Sequence, residues 1–208
     1  MAEIVLLIDS CTADLAVTIL GDGQLIRGRI EPAGPLKGAR LLPLIEEVMS
    51  EAAIAYGDLR VIAAGRGPGT FTGIRTGLAT ALGIGTARGI PVYGICPLLA
   101  LGAPLLAGNN KPVLVQMDAR RHQVYARLME RAGSGLLKPL SDPLLLDPDQ
   151  VEKLYNTRNI IISSPGASRM SSEGLRLSFL SLRSAGQLPP PIPIYIRPPD
   201  AKIPVNAG

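Results

Sequence analysis

The sequence predicts a two-lobed α/β fold made from a duplicated unit, and three observations carry that prediction. The chain opens on an unbroken apolar run, Ile4-Val5-Leu6-Leu7-Ile8, which ends in Asp9 and leads into an alternating stretch around Leu15, Val17 and Ile19. The same opening returns at a constant offset, where Val113-Leu114-Val115-Gln116-Met117 ends in Asp118 and leads into Val124, Ala126 and Leu128. With 208 residues, of which 47% are hydrophobic, the chain is long enough for two lobes of about 100 residues, each with a core.

Each element follows in order. An apolar run of this length reads as a strand buried on both faces, and the alternation after it as a second strand. Gly21-Asp22-Gly23 is a turn, and Gln24 to Arg29 a third strand of the same meander. Leu41, Leu44, Ile45, Val48, Ala52 and Ala55 fall at helical spacing, with Pro43 suited only to the start of that helix. Val61 to Ala64 reads as a strand, Gly65 to Thr72 as a loop and Gly73 to Arg88 as a helix. Pro91 to Ile95 follows as a strand and Pro97 to Leu106 as a helix. Gly108 to Pro112 is the boundary, so the first lobe spans 1–110 and the second 111–208. Six prolines between Pro189 and Pro199 mark an extended arm, about 189–208, laid back on the protein. A duplicated unit with an Asp-bearing turn in each half is similar to the actin, sugar-kinase and Hsp70-type ATPases, in which the two turns face each other across a nucleotide cleft.

Composition and motifs narrow the chemistry. The longest apolar run, Pro97 to Gly108, falls short of the ~20 residues that span a bilayer. No basic segment precedes the first apolar run. A cytoplasmic protein is expected, with Cys11 and Cys96 as reduced, buried thiols. Net charge is +4 with the basic residues scattered along the sequence and aromatics at 3%, which does not demand a nucleic-acid partner. His122 is the single histidine. Two-histidine metal sites are therefore excluded within one chain, and a Ser-His-Asp triad would have to use it. The turn Asp9-Ser10-Cys11-Thr12 lacks glycine, and Asp118-Ala119-Arg120-Arg121 is bulky, with no glycine between Pro112 and Gly133. Phosphate binding at such turns needs exposed backbone N–H groups. Asp9, Ser10, Thr12 and Asp118 are expected to form a vestigial cleft with weak ATP or ADP binding at most, no other cofactor and no metal.

The loop Gly65-Arg66-Gly67-Pro68-Gly69-Thr70-Phe71-Thr72-Gly73 is not a Walker loop, because no Gly-Lys-Ser/Thr follows. Thr70 is positioned to cap the helix behind it. In that helix ten of sixteen residues are Gly, Ala or Thr, with Gly73, Gly77, Ala81 and Gly85 in a stripe and Ile74, Leu78 and Leu82 beside it. Each interior glycine lowers helix stability by about 1 kcal/mol, and close packing of backbones can offset the loss. That packing lies either inside the lobe or on another subunit. The second alternative makes Phe71, Gly73, Ile74, Gly77, Leu78, Ala81 and Leu82 a docking face.

Gly65 to Arg75 resembles the G-x-GPG-[ST]-FTG-[LIV]-R signature of the bacterial tRNA threonylcarbamoyladenosine biosynthesis protein TsaB (YeaZ) family. Ile8-Asp9-Ser10 is similar to that family's opening strand, Met117-Asp118-Ala119-Arg120 with Val124-Tyr125 to its DAR turn and following strand, and Ile194 to Ala201 to its C-terminal arm. The resemblance implies an actin-like two-lobed fold and a non-catalytic scaffold. Its partners would be a catalytic subunit, TsaD, whose metal is held by paired histidines, and an ATPase, TsaE. Together these attach a threonylcarbamoyl group to the adenosine 3′ of the anticodon, so tRNA is met through the complex. The docking face expected of the 73–88 helix is also expected to pair two copies of the chain when the partner is absent. Two features depart from the family pattern: Lys37-Gly38 stands where many members carry a histidine, and the second lobe is shortened between Ser163 and Pro191, where helices are expected. A glycoprotease-like peptidase, a sugar-kinase-like enzyme and a homodimeric interaction module are the alternatives.

Overall fold

The computed structural model describes residues 2–32, 34, 37–155 and 159–197. The first half forms β1 (Ile4–Asp9), β2 (Asp14–Gly21), β3 (Gln24–Pro32), α1 (Lys37–Glu51), β4 (Leu59–Gly65), α2 (Phe71–Arg88), β5 (Val92–Ile95), α3 (Pro97–Gly102) and a 3₁₀ turn at Pro104–Leu106. The second half forms β6 (Val113–Asp118), β7 (Val124–Arg131), β8 (Leu137–Pro139), β9 (Leu144–Leu146), α4 (Pro148–Tyr155), β10 (Ile161–Ile162) and α5 (Ser172–Ser184).

The repeat in sequence is a repeat in topology. In the first sheet, ordered β3-β2-β1-β4-β5, β1 has antiparallel β2 on one side and parallel β4 on the other. In the second, ordered β10-β6-β7-β8 with β9 also on β7, β6 has antiparallel β7 on one side and parallel β10 on the other. This is the two-lobed α/β plan that the repeated opening predicts.

The side chains sort these elements into layers. Ile4, Leu6 and Ile8 of β1 face Leu41, Leu44, Ile45 and Val48 of α1 and Ile74, Leu78 and Ala81 of α2. Val5 and Leu7 face the other way, into a core that also holds Leu98, Leu99 and Leu101 of α3 and Leu175, Phe179 and Leu182 of α5. Val113 and Val115 of β6 and Tyr125 and Met129 of β7 enter that same core from the second sheet. Leu114, Val124 and Ala126 face Val151 and Tyr155 of α4. Both sheets are thus covered on both sides, which is why β1 and the first half of β6 read as unbroken apolar runs.

The boundaries differ from expectation where a proline or a cap decides. α1 begins at Lys37, so Pro43 sits inside it, on the exposed side, and the helix ends before Ala52. The predicted helix 97–106 is split because Pro104 has no N–H to continue it. β3 runs on to Pro32, tied to α1 through ion pairs of Arg29 with Glu47 and of Glu31 with Arg40. The stretch from Ser163 to Pro191, read as shortened, carries α5, whose first turn is capped by the Ser171 hydroxyl accepting from Gly174 N–H at 3.0 Å. No described helix is long and apolar enough to cross a membrane.

Because α3 and α5 complete the cores of both sheets, the two lobes should unfold together. Phe179, fully buried in the shared layer, provides the test. Phe179→Ala should lower stability by about 3–5 kcal/mol while thermal unfolding stays a single transition by both calorimetry and near-UV dichroism. Two separate transitions would show that the lobes have independent cores.

Candidate functional site

β1 delivers Asp9 to a closed polar turn. The carboxylate is fully buried. Its Oδ2 accepts the Thr12 hydroxyl at 3.0 Å, and its Oδ1 has no hydrogen-bond partner among the described residues. Lys37, the first residue of α1, turns its ammonium inward to donate to the Thr12 carbonyl at 2.5 Å. Burial pushes the Asp9 carboxyl above the usual carboxylate range, and the Thr12 hydroxyl and the Lys37 charge pull it partly back. Burial also pushes the Lys37 ammonium down, opposed by Asp9, and drives the Cys11 thiol well above its ordinary value.

The Gly-rich loop and α2 seal this turn from outside. Thr70 caps α2 as expected, its hydroxyl accepting from Gly73 N–H at 3.2 Å, while its own N–H donates to the Cys11 carbonyl at 2.9 Å. The Ser10 hydroxyl donates to the Gly73 carbonyl at 2.7 Å. A Cβ on Gly73 would collide with the Ser10 carbonyl oxygen, and one on Gly77 would lie 2.6 Å from Ser10 Oγ. The small-residue stripe is therefore intramolecular. Gly73, Ile74, Gly77, Leu78 and Ala81 are buried in their own lobe and cannot form the docking face expected of them. The reason is geometric: the stripe, Ile74 and Leu78 lie on one side of the helix, and that side covers β4, β1 and the turn after β1. Of the expected face only Phe71 and Leu82 are exposed, at 54% and 42%. The outward side of α2 carries Thr72, Arg75, Ala79, Leu82 and Gly83, next to Ala39, Leu42 and Pro43 on the outward side of α1.

A cleft of about 260 Å³ separates the lobes, lined by Thr12, Asp14 and Arg169 together with Gln116, Asp118 and Ser168. Thr12 and Asp118 are thus brought together, whereas Asp9 and Ser10 lie beneath the surface and do not line it. The Asp14 carboxylate, nearly buried, sits 3.7 Å from the Arg169 guanidinium. Asp14, Gln116, Ser168 and Arg169 were missed, and only the polar character of the strand ends could have marked the first two. No group of three or more His, Cys, Asp or Glu among the described residues could hold a metal ion.

The far turn is left-handed. Arg120, Arg121 and His122 have φ of 62°, 55° and 58°, a conformation that L-residues rarely take in succession. Ala119 N–H donates to the Gln123 carbonyl and Gln123 N–H to the Arg120 carbonyl. From the C-terminal arm, one Arg197 nitrogen reaches the Ala119 carbonyl at 2.8 Å, the Arg120 carbonyl at 3.3 Å and Gln123 Oε1 at 2.8 Å. The arm lies back on the protein as expected. Gly94 N–H on the edge strand β5 donates to the Pro189 carbonyl at 2.8 Å, and Ile194 N–H donates to the Arg66 carbonyl at 2.7 Å. The remainder of the expected arm, 198–208, lies outside the described residues.

Comparison with known proteins agrees with this architecture. A family model described as TsaD, tRNA N6-adenosine threonylcarbamoyltransferase, matches residues 37–185. An uncharacterised protein of Mycobacterium tuberculosis is 32% identical over 207 residues, covering 95% of this chain and 93% of its own. The tRNA threonylcarbamoyladenosine biosynthesis protein TsaB of Escherichia coli is 27% identical over 150 residues, covering 72% of this chain and 64% of its own. The structure of YeaZ from Pseudomonas aeruginosa superposes with a TM-score of 0.77 at 22% identity, covering 93% of this chain and 99% of that one.

The buried carboxyl gives a pH signature. With its folded-state pKa raised by burial, Asp9 keeps its proton in the native state where the unfolded chain has released it. Its contribution is fully present below about pH 4 and is lost as pH rises through the folded value. The stability of the wild type minus that of Asp9→Asn should therefore decline from about pH 4 upward, at no more than about 1.4 kcal/mol per pH unit for one proton, and then level off. Urea unfolding of both proteins across pH 4–8 measures it, and a difference that rises with pH would contradict the assignment.

Proposed function

The chain belongs to the TsaD-like family and, within it, to the TsaB (YeaZ) proteins of tRNA threonylcarbamoyladenosine biosynthesis, and from that premise we propose that it is a non-catalytic subunit docking a TsaD-type catalytic partner. The observation that carries the reading is the outward side of the α1–α2 pair. Leu42 and Leu82 are exposed there, at 46% and 42%, among the exposed small residues Ala39, Pro43, Ala79 and Gly83. A glycine inside an exposed helix face weakens the helix by about 1 kcal/mol relative to alanine. Nothing within 4 Å of a Gly83 Cβ gives that glycine a use in the isolated chain. A second pair of helices approaching this face would give it one, because small side chains let backbones come close and gather dispersion contacts.

Three features support the absence of catalysis. The Asp9 turn is closed by the chain's own α2, the single histidine stands in an exposed turn, and the one guanidinium lining the cleft faces Asp14. ATP or ADP binds weakly at most. A TsaE-type ATPase and tRNA join through the assembled complex in the cytoplasm, and without the partner the α1–α2 face pairs with a second copy of the chain. Steady ATP turnover or a stoichiometric metal in the pure protein would favour the kinase-like or peptidase readings instead.

Two glycines on one helix separate docking from folding. Gly83→Leu should fold, gaining about 0.8–1 kcal/mol of helix propensity, yet lose pairing with a TsaD-type partner by at least about tenfold, since an anchor of this kind is worth more than 1.4 kcal/mol. Threonylcarbamoyladenosine in cellular tRNA should fall with it. Gly77→Leu should instead fail to fold stably, because its side chain meets Ser10. Circular dichroism, gel filtration with the partner and nucleoside analysis read the three effects. Normal pairing by a folded Gly83→Leu protein would move the interface elsewhere.

A further inference from the structure

The arm assembles a surface that no single stretch of sequence contains. Tyr195, 44% exposed, lies beside Phe71, 54% exposed, with ring centroids 5.4 Å apart and the planes tilted by 35°. The Arg75 guanidinium stands 3.8 Å over the Phe71 ring, and its Nε–H donates to the Tyr195 hydroxyl at 3.2 Å. Two residues further along the arm, Arg197 holds the left-handed turn from which Arg120 projects, exposed. On the other side Arg66 donates to the Pro190 carbonyl. The chain has only two phenylalanines and five tyrosines, yet one of each is spent on this exposed stack.

The segments that build it are free of carboxylates. Between Asp58 and Asp118 the sequence holds no acidic residue, nor does it from Ala119 to Met129 or from Gly174 to Pro199. Every segment that builds the surface comes from these acid-free stretches. Asp118, which interrupts them, has Oδ1 occupied by the Arg120 backbone N–H at 2.7 Å. The fold gathers basic residues that are scattered in sequence along the arm: Arg75 and Arg120 are exposed, while Arg66 and Arg197 are half-buried and hold backbone carbonyls.

Exposed aromatic rings with guanidinium groups alongside are what unpaired bases require. The exposed Tyr195 ring extends the Arg75–Phe71 stack and offers a face to a base, and the exposed Arg120 guanidinium offers a charge to a neighbouring phosphate. We propose that this arm-lined face binds unpaired RNA directly, the loop of the tRNA brought by the complex. The inference rests on the proposed function for the identity of the RNA, and goes beyond it in giving this chain its own RNA contact.

The test uses the wild-type chain, alone and paired with its TsaD-type partner, and an unmodified tRNA transcript with its isolated anticodon stem-loop as probes. Fluorescence anisotropy across a salt series measures affinity and its slope, and gel filtration measures pairing. Tyr195→Ala should weaken RNA binding about five- to a hundredfold, the loss expected of one stacked base, and Tyr195→Phe should bind as the wild type does. Arg120→Gln should lower the slope of log K against log salt by about one, for one lost phosphate contact, without changing pairing. Unchanged RNA affinity and slope in both Tyr195→Ala and Arg120→Gln would overturn the inference. So would a Tyr195→Ala protein that loses its partner but keeps its RNA, since the face would then be a protein interface. If the wild-type chain does not pair at all, the subunit reading fails, and variant-dependent RNA binding by the chain alone still decides this one.

Discussion

Neither sheet can complete a core without the helices between them. α5 lies against β2 and β3 of the first sheet, α3 lies against β6 and β7 of the second, and the two helices touch each other. Phe179, Leu175 and Leu98 therefore belong to both lobes at once. The cleft, the arm and both candidate surfaces are fixed relative to one another by this shared layer. It also makes the second half of the chain indispensable to the first, because α5 arrives late in the sequence to cover a sheet that begins at Ile4.

The next constraint acts at the turn after β1. In a nucleotide-binding lobe, such a turn would leave its N–H groups and its carboxylate open to a ligand. Here the chain's own helix takes that space. Ser10 is engaged by Gly73, the Cys11 carbonyl by Thr70 and the Thr12 carbonyl by Lys37. Gly65 and Gly69 of the loop and Gly73 and Gly77 of α2 permit that approach, since a Cβ on any of them would meet Asp9, Ser10 or Cys11, so the inner side of α2 is committed to the fold. What remains for a partner is the outer side, and it differs from an ordinary solvated helix face in carrying Ala79, Leu82 and Gly83 where charged residues would serve solubility.

Much of this was legible in the sequence. The repeated runs before Asp9 and Asp118, the Thr70 cap and the extended arm follow from residue type and spacing, and the Gly65–Arg75 loop from its resemblance to a family signature. The direction in which the α2 stripe faces was not, because periodicity gives an angle around a helix axis but not the identity of the neighbour. β8, β9 and β10, of two or three residues each, are too short to show a period. α5 carries Leu175, Phe179 and Leu182 at helical spacing behind a Ser171 cap, but the serines and arginines between them dilute that period. Arg169 enters the cleft from just before that cap. The left-handed turn at 120–122 was invisible for a physical reason. Such a turn is ordinarily marked by glycine, and here three bulky residues adopt it.

That exception ties the arm to the second lobe. Three successive L-residues in the left-handed region disfavour the turn by about 3–6 kcal/mol, at about 1–2 each. Two backbone hydrogen bonds across the turn return a small part of this, about 1 kcal/mol apiece. One Arg197 nitrogen, with two hydrogens, is shared among two carbonyls and a side-chain amide; hydrogen bonds from a charged group contribute about 1.5–3 kcal/mol each, and its Nε, buried without a hydrogen-bond partner among the described residues, subtracts from that. The clamp therefore offsets part of the strain in the turn and ties the turn's conformation to the seated arm. Seating in turn requires Pro189 at the β5 edge and Ile194 on Arg66, both in the first lobe. The extended arm thus links a strand edge, the Gly-rich loop, the start of α2 and the strained turn of the other lobe, and the exposed aromatic and basic side chains it aligns are held at fixed spacing by the same contacts.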